Sequence, residues 1–460
     1  MSEAYQKFDE LSYKVPFDIE HRRKIKFNIS RYDLKVPEGK KQYKFLELAK
    51  KRAAFLKYKA INDIDRYLLE FEANFIQKGG KVIWANDANE AIKEINKILT
   101  KHSARTIVKS KSMITEEIDF NEEMHKSHRE SLETDLGEFI VQVAGEKPYH
   151  IITPIMHKSK EDVAELFTKK YDLAPNSTPE EITAFVRKLL REKFVTADAG
   201  ITGVNFIVAD TGSVCVTENE GNALLSVAFP KVHIAIAGIE KIIPSLEDID
   251  LYWSLLSTYG TGQNITVYNN IISGPRQENE TDGPLDMYVV LLDNGRTKLL
   301  AQQEQRRALS CIRCGACLNG CPIYKNMGGH AYGTTYSGPI GAVITPYLSG
   351  LDEFKHLSYA STLCGKCSEV CPVKIPLHDL LLHNRNDAVK AGYSTLTWKA
   401  IVFGWKKAML NRWIIDLLGS KTKNFGMNLV AKKLWGPRRN LPIFKPKSFN
   451  QTWRENHKKA

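Results

Sequence analysis

Outside one short window the chain is almost free of cysteine. Of its eight cysteines, only Cys215 lies elsewhere than between Cys311 and Cys371. A disulfide framework spreads its cysteines through a domain, so this distribution excludes a stapled secreted fold. Long apolar runs are missing too: none approaches the roughly 18 residues that a membrane-spanning helix needs. The opening MSEAYQKFDELSYKV has no apolar core of a secretory signal, so a cytoplasmic protein is expected. No G-x-G-x-x-G joins a strand to a helix and no G-x-x-x-x-G-K-[ST] occurs, so neither a Rossmann dinucleotide site nor a P-loop is supported. Gly260 and Gly262 make only a lone G-x-G. Acids are scarce at one end: residues 394–460 hold 15 Lys/Arg against Asp416 and Glu455, a net of +13, while the whole chain is +12.

What is present starts with the cysteines. They fall in two runs, Cys311-x2-Cys314-x2-Cys317-x3-Cys321-Pro322 and Cys364-x2-Cys367-x3-Cys371-Pro372. Thiolates on gaps of two, two and three before proline are the ligand set of a bacterial-type [4Fe–4S] ferredoxin. In that pattern the fourth cysteine serves the other cluster. Cluster 1 is then expected on Cys311, Cys314, Cys317 and Cys371, and cluster 2 on Cys321, Cys364 and Cys367. Cluster 2 is one thiolate short, because position 361 is Ser361. A [4Fe–4S] cube with a non-thiolate fourth ligand, a [3Fe–4S] cluster and a cube with an open iron all fit. Zinc, which takes four ligands in two pairs, fits seven thiolates poorly.

At 460 residues the chain has room for two or three domains, and 43% hydrophobic with 26% charged residues suits a globular protein. Residues 1–36 read as an extended, irregular arm with helical pieces, and 40–78 as one or two amphipathic helices. Strands are expected at 81–85, 105–109, 151–153, 206–208, 214–217, 233–237 and 288–292, and helices near 89–99, 159–171, 179–192 and 246–258. Alternation of this kind indicates an α/β domain with a largely parallel sheet. The expected divisions are a helical arm at 1–79, an α/β domain at 80–300, a two-cluster domain at 301–393 and a basic extension at 394–460.

Within the α/β domain the richest polar stretch ends in Glu218, Glu220 and Asn222. Two residues apart on a strand, the acids would share a face and could act as a general base or polar clamps; otherwise they are solvent-facing turn residues. Lys109, Ser110, Lys111 and Ser112 follow a strand and could hold a carboxylate or phosphate, or form a solvated loop. Arg276 sits in a turn and could anchor a carboxylate. Cys215 reads as a buried, inert thiol, and His330, His378 and His383 as neutral surface residues. The basic tail carries Trp398, Trp405, Trp413, Trp435 and Trp453. That mixture suits an acidic partner or an anionic membrane surface; nucleic acid is unlikely, since no recognised motif accompanies the charge.

Several stretches together resemble a known family: VKSKSMITEEI (108–118), HIITPIMHKS (150–159), ITGVNFIVADTGSVCVTENEGNALL (201–225), GPRQENETDGP (274–284), VVLLDNGRTKLL (289–300), CIRCGACLNGCPIY (311–324) and CGKCSEVCPVKIPLHDLLL (364–382). The chain is similar to the lactate utilization protein B type. These are iron–sulfur proteins with a LUD domain followed by a two-cluster ferredoxin-like segment. The resemblance implies a NagB/RpiA/CoA-transferase-like α/β fold, then a mainly helical cluster domain. It implies a part in oxidising L-lactate to pyruvate as the electron-transfer subunit of a complex. The partners it implies are a cysteine-rich CCG-domain protein and a LUD-only protein. The alternatives are a stand-alone dehydrogenase of a 2-hydroxy or amino acid, with substrate near Glu218, Glu220 and Asn222, and a non-enzymatic iron–sulfur redox sensor.

Overall fold

The computed structural model describes residues 2–417, 419–431 and 440–457. Contacts divide the chain into two units, Met1–Ala388 and Val389–Ala460.

The first unit is built on a sheet of six parallel strands. These are β1 (Lys81–Ala85), β2 (Thr106–Lys109), β3 (Glu130–Glu133), β4 (Ala199–Gly203), β7 (Val232–Gly238) and β10 (Asp286–Leu292), in the order β1-β10-β7-β4-β2-β3. The central strands are buried on both faces, which is why they read as near-continuous apolar runs: all of β7 is buried, and β10 is buried from Met287 to Leu292. A second sheet, β8-β5-β6-β9, comprises β5 (Phe206–Val208), β6 (Ser213–Glu218), β8 (Ile242–Ile243) and β9 (Tyr268–Ile272). Its β5–β6 and β6–β9 pairs are antiparallel. Cys215 lies fully buried in β6, and burial pushes its thiol up to about 12, so it is inert at neutral pH.

Two expectations are corrected. Residues 151–153 form no strand, because the backbone amides of Ile152 and Thr153 donate to the ring Nδ1 of His150 (3.1 and 3.3 Å), curling this β-branched run into a turn. The N-terminal arm is not irregular: it forms the helices Glu3–Lys14 and Ile19–Lys40, capped by Ser2 and Asp18. Ile25 and Ile29, one turn apart, bury its inner face. The arm is pinned by His21 to Tyr149 (2.7 Å) and by Lys325 to Asp33 (2.9 Å). The helices Leu46–Asn62 and Ile64–Gln77 complete the segment before β1.

After β10 the chain turns helical, and one core cluster joins the α/β strands to Ile312, Cys314, Leu318, Cys321, Cys367 and Cys371. The cysteine runs therefore sit against the α/β core. In the second unit the helices Leu396–Leu410, Arg412–Leu417, Ser420–Gly426 and Phe449–His457 contain no buried residue among those described. Trp435 lies outside the described residues.

Candidate functional site: a polar crevice beside two cysteine nests

Each cysteine run is a pair of left-handed turns followed by a short helix. In the first, Arg313 (φ 62°) and Gly315 (φ 72°) flank Cys314, and Gly315 caps the helix Ala316–Gly320. In the second, Leu363 (φ 55°) and Gly365 (φ 78°) flank Cys364, and Gly365 caps the helix Lys366–Glu369. The glycines occupy a conformation that costs other residues energy.

The fold collects the thiols in two groups. Cys311, Cys314 and Cys371 all act electrostatically on Cys317, and burial with these neighbours pushes its thiol well up. Cys371 likewise acts on Cys314, and Cys311 on Cys371, although Cys371 belongs to the second run. Cys321 and Cys364 act on Cys367. A small cavity is lined by Cys321, Cys364 and Cys367 together with Ser361, Thr362 and His378. Two features suit iron–sulfur clusters. The seven clustered cysteines are free thiols despite their crowding. Backbone amides also aim at the sulfurs, Arg313 N at Cys311 Sγ (3.4 Å) and Ile375 N at Cys371 Sγ (3.3 Å). Such hydrogen bonds are one of the levers that set cluster potentials.

A crevice of about 510 Å³ opens at the carboxyl ends of β2, β4 and β7, where open α/β sheets bind ligands, and Arg313 and Cys314 form part of its wall. Its polar lining has two ends. At one, Lys111 faces Asp135 (3.5 Å), near Glu218, Glu220 and Asn222. Glu218 ends β6 and accepts from the amides of Ala223 (2.7 Å) and Leu224 (2.8 Å), so it caps the helix Asn222–Ala228. Glu220 lies beyond the strand, in the following turn, so the expected shared strand face does not exist; both acids line the crevice nonetheless. Burial raises the pKa of each, and the charge of Asp135 raises both further. The Asn222 side chain lies against Thr134 (3.3 Å).

At the other end a buried ionic network joins the sheet to the first cysteine run. Arg296, 1% exposed, donates to both oxygens of Glu117 (2.8 Å each) and to Glu240 (2.5 Å). Arg313 donates to the other oxygen of Glu240 (3.2 Å) and stacks over Tyr336 at 4.3 Å. The arginines overcome burial and hold Glu240 down at about 2. The second guanidinium nitrogen of Arg313, Nη1, is buried with no hydrogen-bond partner among the described residues, and Lys241 completes this wall.

The remaining candidates are elsewhere. Lys109 is fully buried and ion-paired to Glu133 (2.7 Å), so it is no anion anchor; Lys111, Ser110 and Ser112 of the same stretch do reach the crevice. Arg276 is exposed and closes a turn onto Thr281 (3.4 Å). Gly262 ends the helix Ile249–Thr261 with φ 78°, which explains the lone G-x-G. His330 is half-buried and bonds the Lys147 carbonyl (2.7 Å); His378 bonds Ser368 (2.7 Å) and lines the small cysteine cavity; His383 lies on the helix Leu377–Lys390. Sequence reasoning missed Arg296, Glu240, Lys241, Arg313 and Tyr336. Glu240, Lys241 and Arg296 follow strand ends and Arg313 stands inside a cysteine run, but Tyr336, in the segment before the helix Gly338–Leu348, carried no signal in the sequence.

The parallel α/β domain and the paired cysteine nests each match a family model. Residues 68–292 match the LUD domain, and residues 307–375 match the 4Fe-4S dicluster domain. Proteins named lactate utilization protein B from Bacillus thuringiensis (strain Al Hakam) and Bacillus anthracis (strain A0248) are each 43% identical over 416 residues, covering 87% of this chain and 86% of the relative. The chain belongs to the lactate utilization protein B family. The crystal structure of a DUF162 family protein from Deinococcus radiodurans aligns with 50% of this chain and 98% of its own, at 13% identity and a TM-score of 0.30.

Proposed function

We propose that this chain is the iron–sulfur electron-transfer component of a complex that oxidises L-lactate to pyruvate. The observation that carries the reading is the juxtaposition of two cysteine groups, linked through Cys317 and Cys367, with a polar crevice walled by Arg313 and Cys314. Cys311, Cys314, Cys317 and Cys371 would hold one cluster, and Cys321, Cys364 and Cys367 the other. When bound, the clusters supply one-electron steps at potentials set by ligation, hydrogen bonding and burial. The residues of the chain set that environment through the amides of Arg313 and Ile375. The partners in this reading are a cysteine-rich CCG-domain subunit and a LUD-only subunit, and the basic second unit rests on an anionic membrane surface. The α/β domain is read as NagB/RpiA/CoA-transferase-like.

The crevice favours a second reading, in which the acid itself binds in this chain. Arg313 Nη1 has a hydrogen to give and Lys241 a positive charge, which together suit a carboxylate. Glu220, its pKa raised, stands at the opposite end as a proton acceptor. Anaerobic addition of L-lactate to the cluster-loaded chain, alone and with its partner subunits, separates the two. Bleaching of the visible iron–sulfur absorption only in the presence of partners is the expected result. Bleaching by lactate alone moves the oxidation into the crevice, and no bleaching under either condition overturns both readings.

A further inference from the structure

We propose that Ser361 is the fourth protein ligand of the second cluster, occupying through its Oγ the place that Cys311 occupies in the first. The inference rests on the reading that Cys321, Cys364 and Cys367 hold a cluster.

The two cysteine runs are one structure repeated at an offset of 50 positions. Cys314, Gly315, Cys317, Cys321 and Pro322 recur as Cys364, Gly365, Cys367, Cys371 and Pro372. The backbone repeats with them. Positive φ recurs at Arg313 and Leu363 and at Gly315 and Gly365. The amide bonds recur as well. Leu318 and Asn319 donate to Gly315 O (3.0 and 3.2 Å), as Ser368 and Glu369 donate to Gly365 O (3.0 and 3.1 Å). Cys321 donates to Leu318 O (3.1 Å), as Cys371 donates to Ser368 O (3.3 Å). Under this repeat Cys311 corresponds to Ser361.

The correspondence extends to the ligand atom itself. The amide of Arg313, two residues on, donates to Cys311 Sγ at 3.4 Å, and the amide of Leu363, two residues on, donates to Ser361 Oγ at 3.0 Å. The distance is shorter because oxygen is smaller than sulfur, but donor, acceptor position and turn are the same. Ser361 also lines the cavity that holds Cys321, Cys364 and Cys367. A serine placed only to close a turn has no reason to share a cavity with three thiols. The amide that donates to the ligand atom at Cys311 has its counterpart at Ser361, where it is placed to stabilise alkoxide charge. Ligation forms one Fe–Oγ bond, breaks the Oγ–H bond and releases that proton to solvent, with no change in oxidation state.

Two rivals share the cavity, Thr362 and His378; under the repeat Thr362 corresponds to Ile312, which has no ligand atom. The Nδ1 of His378 is engaged with Ser368 Oγ at 2.7 Å, and its Nε2 lies 3.4 Å from Asp379 Oδ1. Ser361 Oγ carries only the Leu363 bond among the described residues.

The test uses the full chain, loaded anaerobically, as wild type, Ser361→Ala, Ser361→Cys and His378→Gln, read by iron analysis and by EPR of oxidised and reduced samples. Wild type is expected to hold about eight irons with no signal when oxidised. Ser361→Ala is expected to lose about one iron and to acquire a [3Fe–4S] signal in the oxidised state, while the first cluster's reduced signal persists and reports an intact fold. Ser361→Cys is expected to restore about eight irons and to shift the midpoint potential of one cluster only. Unchanged iron and spectra in Ser361→Ala overturn the proposal. So does iron loss in His378→Gln with Ser361→Ala intact, or a [3Fe–4S] signal in strictly anaerobic wild type. Because iron and EPR are read without lactate or partners, failure here leaves the lactate assignment standing, and failure of that assignment leaves this result readable.

Discussion

At the scale of single residues, the most consequential side chain is Arg296. It neutralises Glu117 and Glu240 in the interior, and Arg313 of the cysteine run depends on the same Glu240. Removing one partner of a buried ion pair costs about 3–5 kcal/mol, because the charge left behind has lost both water and partner. Arg296→Leu strands Glu117 and leaves Glu240 to Arg313 alone, so a loss within that range is expected in urea denaturation. Buried histidines set the acid limit. His150 and His233 are fully buried, and desolvation lowers both to about 3. The unfolded chain takes up these protons near pH 6.5, while the folded chain refuses them until about pH 3. Stability therefore falls as pH drops below 6.5, by about 2 kcal/mol per histidine at pH 5. In His233→Gln the difference in urea stability between pH 7 and pH 5 is expected to shrink by about that amount.

At the scale of elements, glycine and small residues decide how closely the crevice is built. The helix Asn222–Ala228 lies on β4, and a Cβ at Gly200 would stand 1.7 Å from the carbonyl oxygen of Ser226. Gly200→Ala must lift that helix from the sheet, at a cost of about 3 kcal/mol, and move Asn222 and Ala223 away from the crevice. Circular dichroism melting checks the first effect, and accessibility of the crevice to a small carboxylate probe checks the second. The same packing explains why β4 was hard to read. The stretch Ala-Gly-Ile-Thr-Gly looks like a loop because the residues that a close-packed helix demands are those that turns also use. The strands at 206–208, 214–217, 233–237 and 288–292 were legible because burial of nearly every residue leaves an uninterrupted apolar signature, and the largely exposed edge strand at 81–85 was legible through the β-branched Val82 and Ile83. The run at 151–153 misled because a histidine ring, not a neighbouring strand, takes its amides. The long helix Ile19–Lys40 was obscured because only Ile25, Ile29 and Gly39 of its 22 residues are buried, too narrow a stripe to register as periodicity. The cysteine nests were legible because their residues stand at fixed spacings within two short runs. The ionic wall of Arg296, Glu240 and Arg313 was not, because its members meet only after the sheet and the cysteine run are brought together.

At the scale of the whole molecule, charge and apolar surface are both concentrated in the second unit. Its helix Leu396–Leu410 exposes Leu396, Trp398, Phe403 and Trp405 and buries none of its residues, while Lys399, Lys406 and Lys407 add positive charge. No helix among the described residues is long and apolar enough to cross a membrane. A helix with that composition gains by lying in an interface, where tryptophans reach the headgroup level and each nearby lysine contributes about 1 kcal/mol toward an anionic surface. An acidic protein groove would satisfy the lysines but would need its own apolar floor for several large side chains pointing in different directions; a lipid interface adapts to them. The full chain is therefore expected to float with vesicles containing phosphatidylglycerol and not with pure phosphatidylcholine, and to be released as salt rises past the point where the screening length falls below about 10 Å. Trp398→Ser with Trp405→Ser should weaken flotation without altering the iron content, because these residues are remote in sequence from every cysteine. Flotation that ignores lipid charge would assign the attraction to the apolar side chains alone. No flotation on either vesicle would return the tail to a protein partner, and with it the question of which subunit of the complex covers these tryptophans.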